Sequence, residues 1–88
     1  MQLDELELDL PPCFEIGEKV QTRKLIRNDG TFPGQEIGAT LAKKGESGYV
    51  ISIGTFLQNS YIYAVHFMGT GYIVGCRAKE LESVDTGI

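Results

Sequence analysis

The sequence predicts an all-β domain: a small five-stranded barrel with a long first loop and a single helical turn before the last strand. Three observations carry this reading. Apolar and aromatic residues alternate with polar ones in short runs between Val20 and Cys76, the period of a half-buried strand. Turn formers punctuate those runs at short intervals. The chain has 88 residues, enough for one domain and too few for two. A sheet this small gains by closing on itself, because closure removes unpaired edges.

Residues 1–12, MQLDELELDLPP, read as a flexible acidic leader. Leu3, Leu6, Leu8 and Leu10 alternate loosely with acids, and Pro11-Pro12 stops any regular element. A frayed tail or an added edge strand fits this segment better than a helix, which at such length is marginal in water. The barrel is assigned to residues 13–85, with 86–88 as a tail. Phe14 to Val20 is an extended lead-in with a turn at Gly17, and a first strand is expected near Val20–Ile26. The run Arg27-Asn28-Asp29-Gly30-Thr31-Phe32-Pro33-Gly34 is packed with turn formers. From Asn28 to about Gly48 apolar residues are few, which predicts a long excursion rather than a hairpin loop.

Three strong strands follow. Gly48–Leu57 places Tyr49, Ile51 and Ile53 on one face and Val50 and Ser52 on the other. Tyr61–Met68 separates Tyr61, Tyr63, Val65 and Phe67 from Ile62, Ala64, His66 and Met68. Tyr72–Arg77 carries Gly75 where a bend or bulge would sit. Ala78–Leu81 has room for one helical turn, and Glu82–Val84 forms a final short strand. A long early connection and a lone turn before the last strand match an SH3-like barrel. An OB-fold fits less well, since no segment reads as the helix between its third and fourth strands.

Composition is that of an ordinary globular protein, 42% hydrophobic and 23% charged, which excludes collagen-like, coiled-coil and wholly disordered classes. No apolar run approaches the roughly 20 residues that span a bilayer, and the N-terminus lacks the profile of a secretory signal. A cytoplasmic location is the expectation. The net charge of −4 is unevenly laid out. Residues 1–18 hold six acids and no base, whereas residues 19–44 hold six bases against two acids. The acidic total argues against nucleic acid as a partner, while the basic middle, with Arg23, Lys24, Arg27, Lys43 and Lys44, suits an acidic protein surface.

Catalytic chemistry finds little to work with. His66 is the sole histidine and lies mid-strand with no nucleophile motif around it. Cys13 follows two prolines and should be exposed; Cys76 lies in an apolar strand and should be packed. The glycines form no phosphate cradle, and Glu80 and Glu82 carry no mark of an acid/base pair. The sequence therefore reads as no enzyme, with no cofactor or metal site. Arg27–Gly34 stands apart, combining a cation, an anion, an aromatic and two turns in one loop. Either it recognises a partner, or Asn28 and Asp29 simply cap the turn. The candidate partner-binding residues are Arg23, Lys24, Arg27, Asn28, Asp29, Gly30, Thr31, Phe32, Pro33 and Gly34. Two other classes stay open: a nucleic-acid-binding small barrel, and an iron–sulfur carrier using Cys13 and Cys76.

The run from Ile26 to Gly34 resembles the signature loop of the NifZ family, small proteins associated with nitrogen fixation. Gly45-x-x-Gly48-Tyr49-Val50, Ile53–Leu57, Ile62–Val65 with Phe67, and Val74–Arg77 with Glu80-Leu81 are similar to it as well, as is the lead-in Pro11–Val20. The resemblance covers roughly residues 11–84. It implies an SH3-like fold and a non-catalytic, chaperone-like role in maturing the nitrogenase molybdenum–iron protein, in particular in completing its P-clusters. It implies that large protein as the partner and supplies no warrant for cluster binding at Cys13.

Overall fold

A computed structural model of the chain describes residues 7–57 and 59–84. Seven strands occur among them: β1 (Lys19–Thr22), β2 (Ile26–Arg27), β3 (Thr40–Ala42), β4 (Ser47–Phe56), β5 (Ser60–Phe67), β6 (Ile73–Cys76) and β7 (Leu81–Ser83), with a 3-10 turn at Ala78–Glu80 before the last. The all-β expectation, the long first connection and the single turn are all present. Five strands pair antiparallel in the order β6-β5-β4-β1-β7, and β2 pairs with β3 as a separate two-stranded sheet.

The expected closed barrel is not formed: the ladder stops at β6 on one side and β7 on the other. The cause lies in the turn between them. Glu80 caps the Arg77 N–H through its carboxylate at 2.8 Å, and Arg23 N–H reaches back to the Glu80 carbonyl, also at 2.8 Å. These bonds draw the chain across to β1, so β7 pairs with β1 instead of with β6. The second layer is the β2–β3 hairpin, which gives Ile26, Leu41 and Ala42 to the core. Opposite them lie Val20, Val50, Tyr63, Val65, Phe67, Val74, Cys76 and Leu81 from the sheet, with Phe14 edge-on to Tyr63 at 5.2 Å.

Local departures from the sequence reading have local reasons. The strand expected over Val20–Ile26 is split in two, because Thr22 is buried and turns its hydroxyl to the Lys43–Glu46 turn rather than along the ladder. The long excursion is present but contains β3, which pairs back on β2. In β4 a bulge between Val50 and Ser52 adds one residue, so Val50 and Ile53 both face the core while Tyr49 and Ile51 face outward. Simple alternation had grouped Tyr49, Ile51 and Ile53; one inserted residue reverses the faces beyond it. The faces of β5 are as read: Tyr63, Val65 and Phe67 are fully buried and Ile62, Ala64 and His66 half-buried.

Among the described residues, Gly48 is the one position where sheet packing forbids a side chain. A Cβ there would lie 2.5 Å from the His66 carbonyl oxygen and 2.8 Å from Val65 Cγ1. Of the leader, residues 1–6 lie outside the described residues, as do residues 85–88 with the expected tail. Residues 7–9 are helical, where a frayed tail or edge strand was expected. Tertiary bonds hold that turn: Tyr61 N–H donates to the Glu7 carboxylate at 2.7 Å, and the Tyr61 hydroxyl donates to the Leu10 carbonyl at 2.6 Å.

Candidate functional site

The loop that follows β2 is organised by one buried side chain. Asn28 is 2% exposed in a loop that is otherwise largely at the surface. Its Nδ2 donates to the carbonyls of Phe32, Gln35 and Glu36 at 2.9–3.2 Å. Its Oδ1 accepts from the Gly30 and Phe32 N–H groups at 2.9 and 3.1 Å. The backbone of Asn28 is engaged too, with Ala39 and Gly38. A carboxamide suits this task because it presents donors and acceptors on one short rigid plane. Gly30 and Gly34 sit at φ of 105° and 88°, in the left-handed region that their missing side chains permit. Asp29 caps locally: Thr31 donates to it from both hydroxyl and amide, and those bonds hold the carboxyl below its ordinary value.

Phe32 fastens this loop to the rest of the fold. Its ring packs on Tyr72 at 5.0 Å, and Gln35 Nε2 donates to the Tyr72 hydroxyl at 3.1 Å. Tyr72 immediately precedes β6, so the loop becomes a wall facing that edge strand. Between wall and edge runs a groove of about 820 Å³, within the usual range for ligand-binding clefts. Arg27, Asp29, Thr31, Phe32 and Pro33 line one side, and Ile73, Val74 and Gly75 another. Phe56, Ile62 and Arg77 complete it on the outer face of the sheet, where the Arg77 guanidinium lies 4.9 Å above the Phe56 ring.

The residues singled out from the sequence divide into four groups. Arg27, Asp29, Thr31, Phe32 and Pro33 line the groove; Asn28 is the buried hub; Gly30 and Gly34 shape the loop. Arg23 and Lys24 do not line the groove. They are exposed in the bend after β1, beside the Lys43–Glu46 turn that Thr22 binds. Arg23 and Lys24 thus share one end of the molecule with Lys43 and Lys44. Sequence reasoning missed Phe56, Ile62, Ile73, Arg77 and Lys79, which strand pairing and the Ala78–Glu80 turn bring to the groove. An available signal was Gly75, whose Cβ would press on Ile62 Cγ2 at 3.1 Å.

The cysteines occupy unlike settings. Cys13 is exposed and its N–H donates to the Tyr63 hydroxyl at 2.9 Å. Cys76 is fully buried, and burial, reinforced by the nearby Glu80 charge, pushes its thiol up to about 12. No cluster of three or more His, Cys, Asp or Glu side chains fit to hold a metal occurs among the described residues. His66 lies half-buried on the outer face in register with Tyr49 and Ile73, with no nucleophile opposite it. No helix among the described residues is long and apolar enough to cross a membrane.

No solved structure matches the chain. A NifZ protein of Azotobacter chroococcum is 49% identical over 70 residues, covering 80% of this chain and 44% of that protein. A NifZ-type protein of Sinorhizobium fredii is 49% identical over 81 residues, covering 92% of this chain and 75% of its own length. The Klebsiella pneumoniae NifZ protein is 46% identical over 70 residues, 80% of this chain and 47% of its own. This chain therefore spans less than half of the Azotobacter and Klebsiella relatives. The NifZ domain model matches residues 11–83, from the lead-in through β7, and the chain belongs to the NifZ family.

Proposed function

We propose that this chain is a non-catalytic accessory protein of nitrogen fixation, one that docks on the nitrogenase molybdenum–iron protein while its P-clusters are completed. The family match across residues 11–83 carries the reading, because it spans the whole β-domain. Three features support docking over catalysis. The groove is bordered by a loop pinned from within by Asn28, as a recognition surface needs to be. It is lined by exposed Arg27 and Lys79 and half-buried Arg77 on a chain of net charge −4. The single histidine lies on the outer face of the sheet opposite Tyr49 and Ile73 and does not line the groove. The strand order β6-β5-β4-β1-β7, a meander flanked by the first and last strands, supports an SH3-like class for the fold. The protein works in the cytoplasm, where nitrogenase is assembled, and binds through the Arg27–Gly34 loop, with Arg23 and Lys24 as a second contact.

Anoxic pull-down from nitrogen-fixing cells tests this. The expected result is retention of cluster-immature molybdenum–iron protein in preference to the mature form. Retention of no nitrogenase component, or turnover of a substrate by the purified chain alone, overturns it.

A further inference from the structure

We infer that the groove binds its partner by strand addition: an extended acidic segment of a partner protein pairs along the free edge of β6. This rests on the docking reading above and names the chemistry of its ligand.

The backbone makes the first argument. Phe67 N–H donates to the Tyr72 carbonyl at 2.8 Å. Given the β5–β6 register, alternation makes Val65/Val74 and Tyr63/Cys76 the hydrogen-bonded pairs. The N–H and C=O groups of Ile73 and Gly75 then point away from β5, and no strand among the described residues pairs with them. Folded proteins usually blunt such an edge with lysine, proline or a bulge. Ile73-Val74-Gly75-Cys76 contains none of these and pairs without a register shift.

The walls make the second. A strand laid beside β6 would send alternate side chains to opposite faces. On the inner face it meets Ile26, Phe32 and Leu41, and on the outer face Phe56 and Ile62. Both faces offer apolar contact, and the smallness of Gly75 leaves the outer one open.

Charge makes the third. Three cations line the groove, Arg27, Arg77 and Lys79, against Asp29 and Glu80. Both acids are turned to their own loops: Asp29 accepts from Thr31, and Glu80 accepts from Arg77 N–H. Both carboxylates keep their charge, so three cations against two anions leave the lining at a net +1, complementary to carboxylates on an incoming strand.

The test uses the isotope-labelled full chain and three short synthetic peptides. One alternates valine with glutamate, one alternates valine with lysine, and one is the glutamate peptide N-methylated at every second amide. The glutamate peptide is expected to slow amide exchange at Ile73 and Gly75 by at least about tenfold, while the other two do not. Arg27→Glu and Lys79→Glu, both at exposed positions, are expected to weaken that binding several-fold. Equal binding of the lysine peptide, or of the N-methylated one, overturns the inference. So does concentration-dependent protection of Ile73 and Gly75 without peptide, accompanied by dimers in sedimentation, since a second copy would then be the occupant. The two readings fail separately. Nitrogenase protein retained equally by wild type and by the Arg27→Glu/Lys79→Glu variant sinks the groove and leaves the accessory role standing. Peptide pairing at β6 with no nitrogenase protein retained does the reverse.

Discussion

Replacing Asn28 by alanine tests the idea that one buried carboxamide holds the loop wall in place. The substitution deletes five hydrogen bonds to the backbone of Gly30, Phe32, Gln35 and Glu36. Two amide protons serve three carbonyls, so the set is worth about four full bonds, or about 4 kcal/mol at roughly 1 kcal/mol each. Residues 29–31 and 33–38 are exposed, so water re-solvates most of the freed groups. The net loss should be about 2 kcal/mol, or about 8–16 °C in Tm for a domain of this size. Urea unfolding followed by tyrosine fluorescence is the natural assay, since the chain has four Tyr and no Trp. Exchange at Gly30 and Phe32 should quicken well before that of Val65 and Cys76. Asn28→Asp sharpens the test. It keeps one acceptor but sets a carboxylate against three carbonyls, raising the folded-state pKa of that carboxyl, so its penalty grows as pH rises through the carboxylate range and shrinks in acid. A loss below about 0.5 kcal/mol for Asn28→Ala, the level of an ordinary surface change, would refute the reasoning.

Other outcomes are open to direct measurement. Gly48→Ala drives a methyl into the His66 carbonyl and Val65 and should cost about 2–3 kcal/mol in denaturant titrations, as overpacking does; a cost under about 1 kcal/mol contradicts the close strand approach. Burial raises Cys76 from 9.0 to about 12 and lifts Tyr63 above its ordinary 10.0. Both folded-state values are raised, so the stability these groups contribute is complete below their unfolded values and is lost as pH climbs through the folded ones. Unfolding free energy should hold steady up to about pH 9 and fall beyond it, with a shallower fall in Cys76→Ala. A thiol reagent should titrate Cys13 at once and Cys76 only on unfolding. Leu57, 75% exposed at a φ of 53°, carries left-handed strain at the end of β4; Leu57→Asn should stabilise the fold by about 0.5–1 kcal/mol.

The strands β4, β5 and β6 are legible because burial there is one-sided and side chains alternate: Tyr63, Val65 and Phe67 announce the inner face by spacing alone. The bulge at Ile51 is not legible, since an inserted residue leaves the local alternation intact and only shifts its phase against the partner strand. Nor is β3, where Leu41 and Ala42 are the only buried residues between Asn28 and Gly48, too few to set a period. Lack of closure was invisible for a different reason. It depends on where the Arg77–Glu80 turn delivers the chain, and that turn is aimed by a bond to Arg23, distant in sequence.

The same distinction explains what could be read of the candidate site. A loop rich in turn formers draws notice by composition, and Arg27, Asp29, Thr31, Phe32 and Pro33 of that loop do line the groove. Asn28 caps the turn, as one of the two readings has it, and by doing so it fixes the surface that Arg27, Asp29 and Thr31 present. The opposite wall is built from residues unremarkable in sequence: Ile73 and Gly75 matter for backbone groups that every residue possesses, and become available only because β6 ends the ladder. An edge is a property of topology, so no local pattern encodes it. Had the barrel closed, those groups would be spent on β7 and the groove would not exist. The failure of closure is thus the structural condition on which recognition by strand pairing depends.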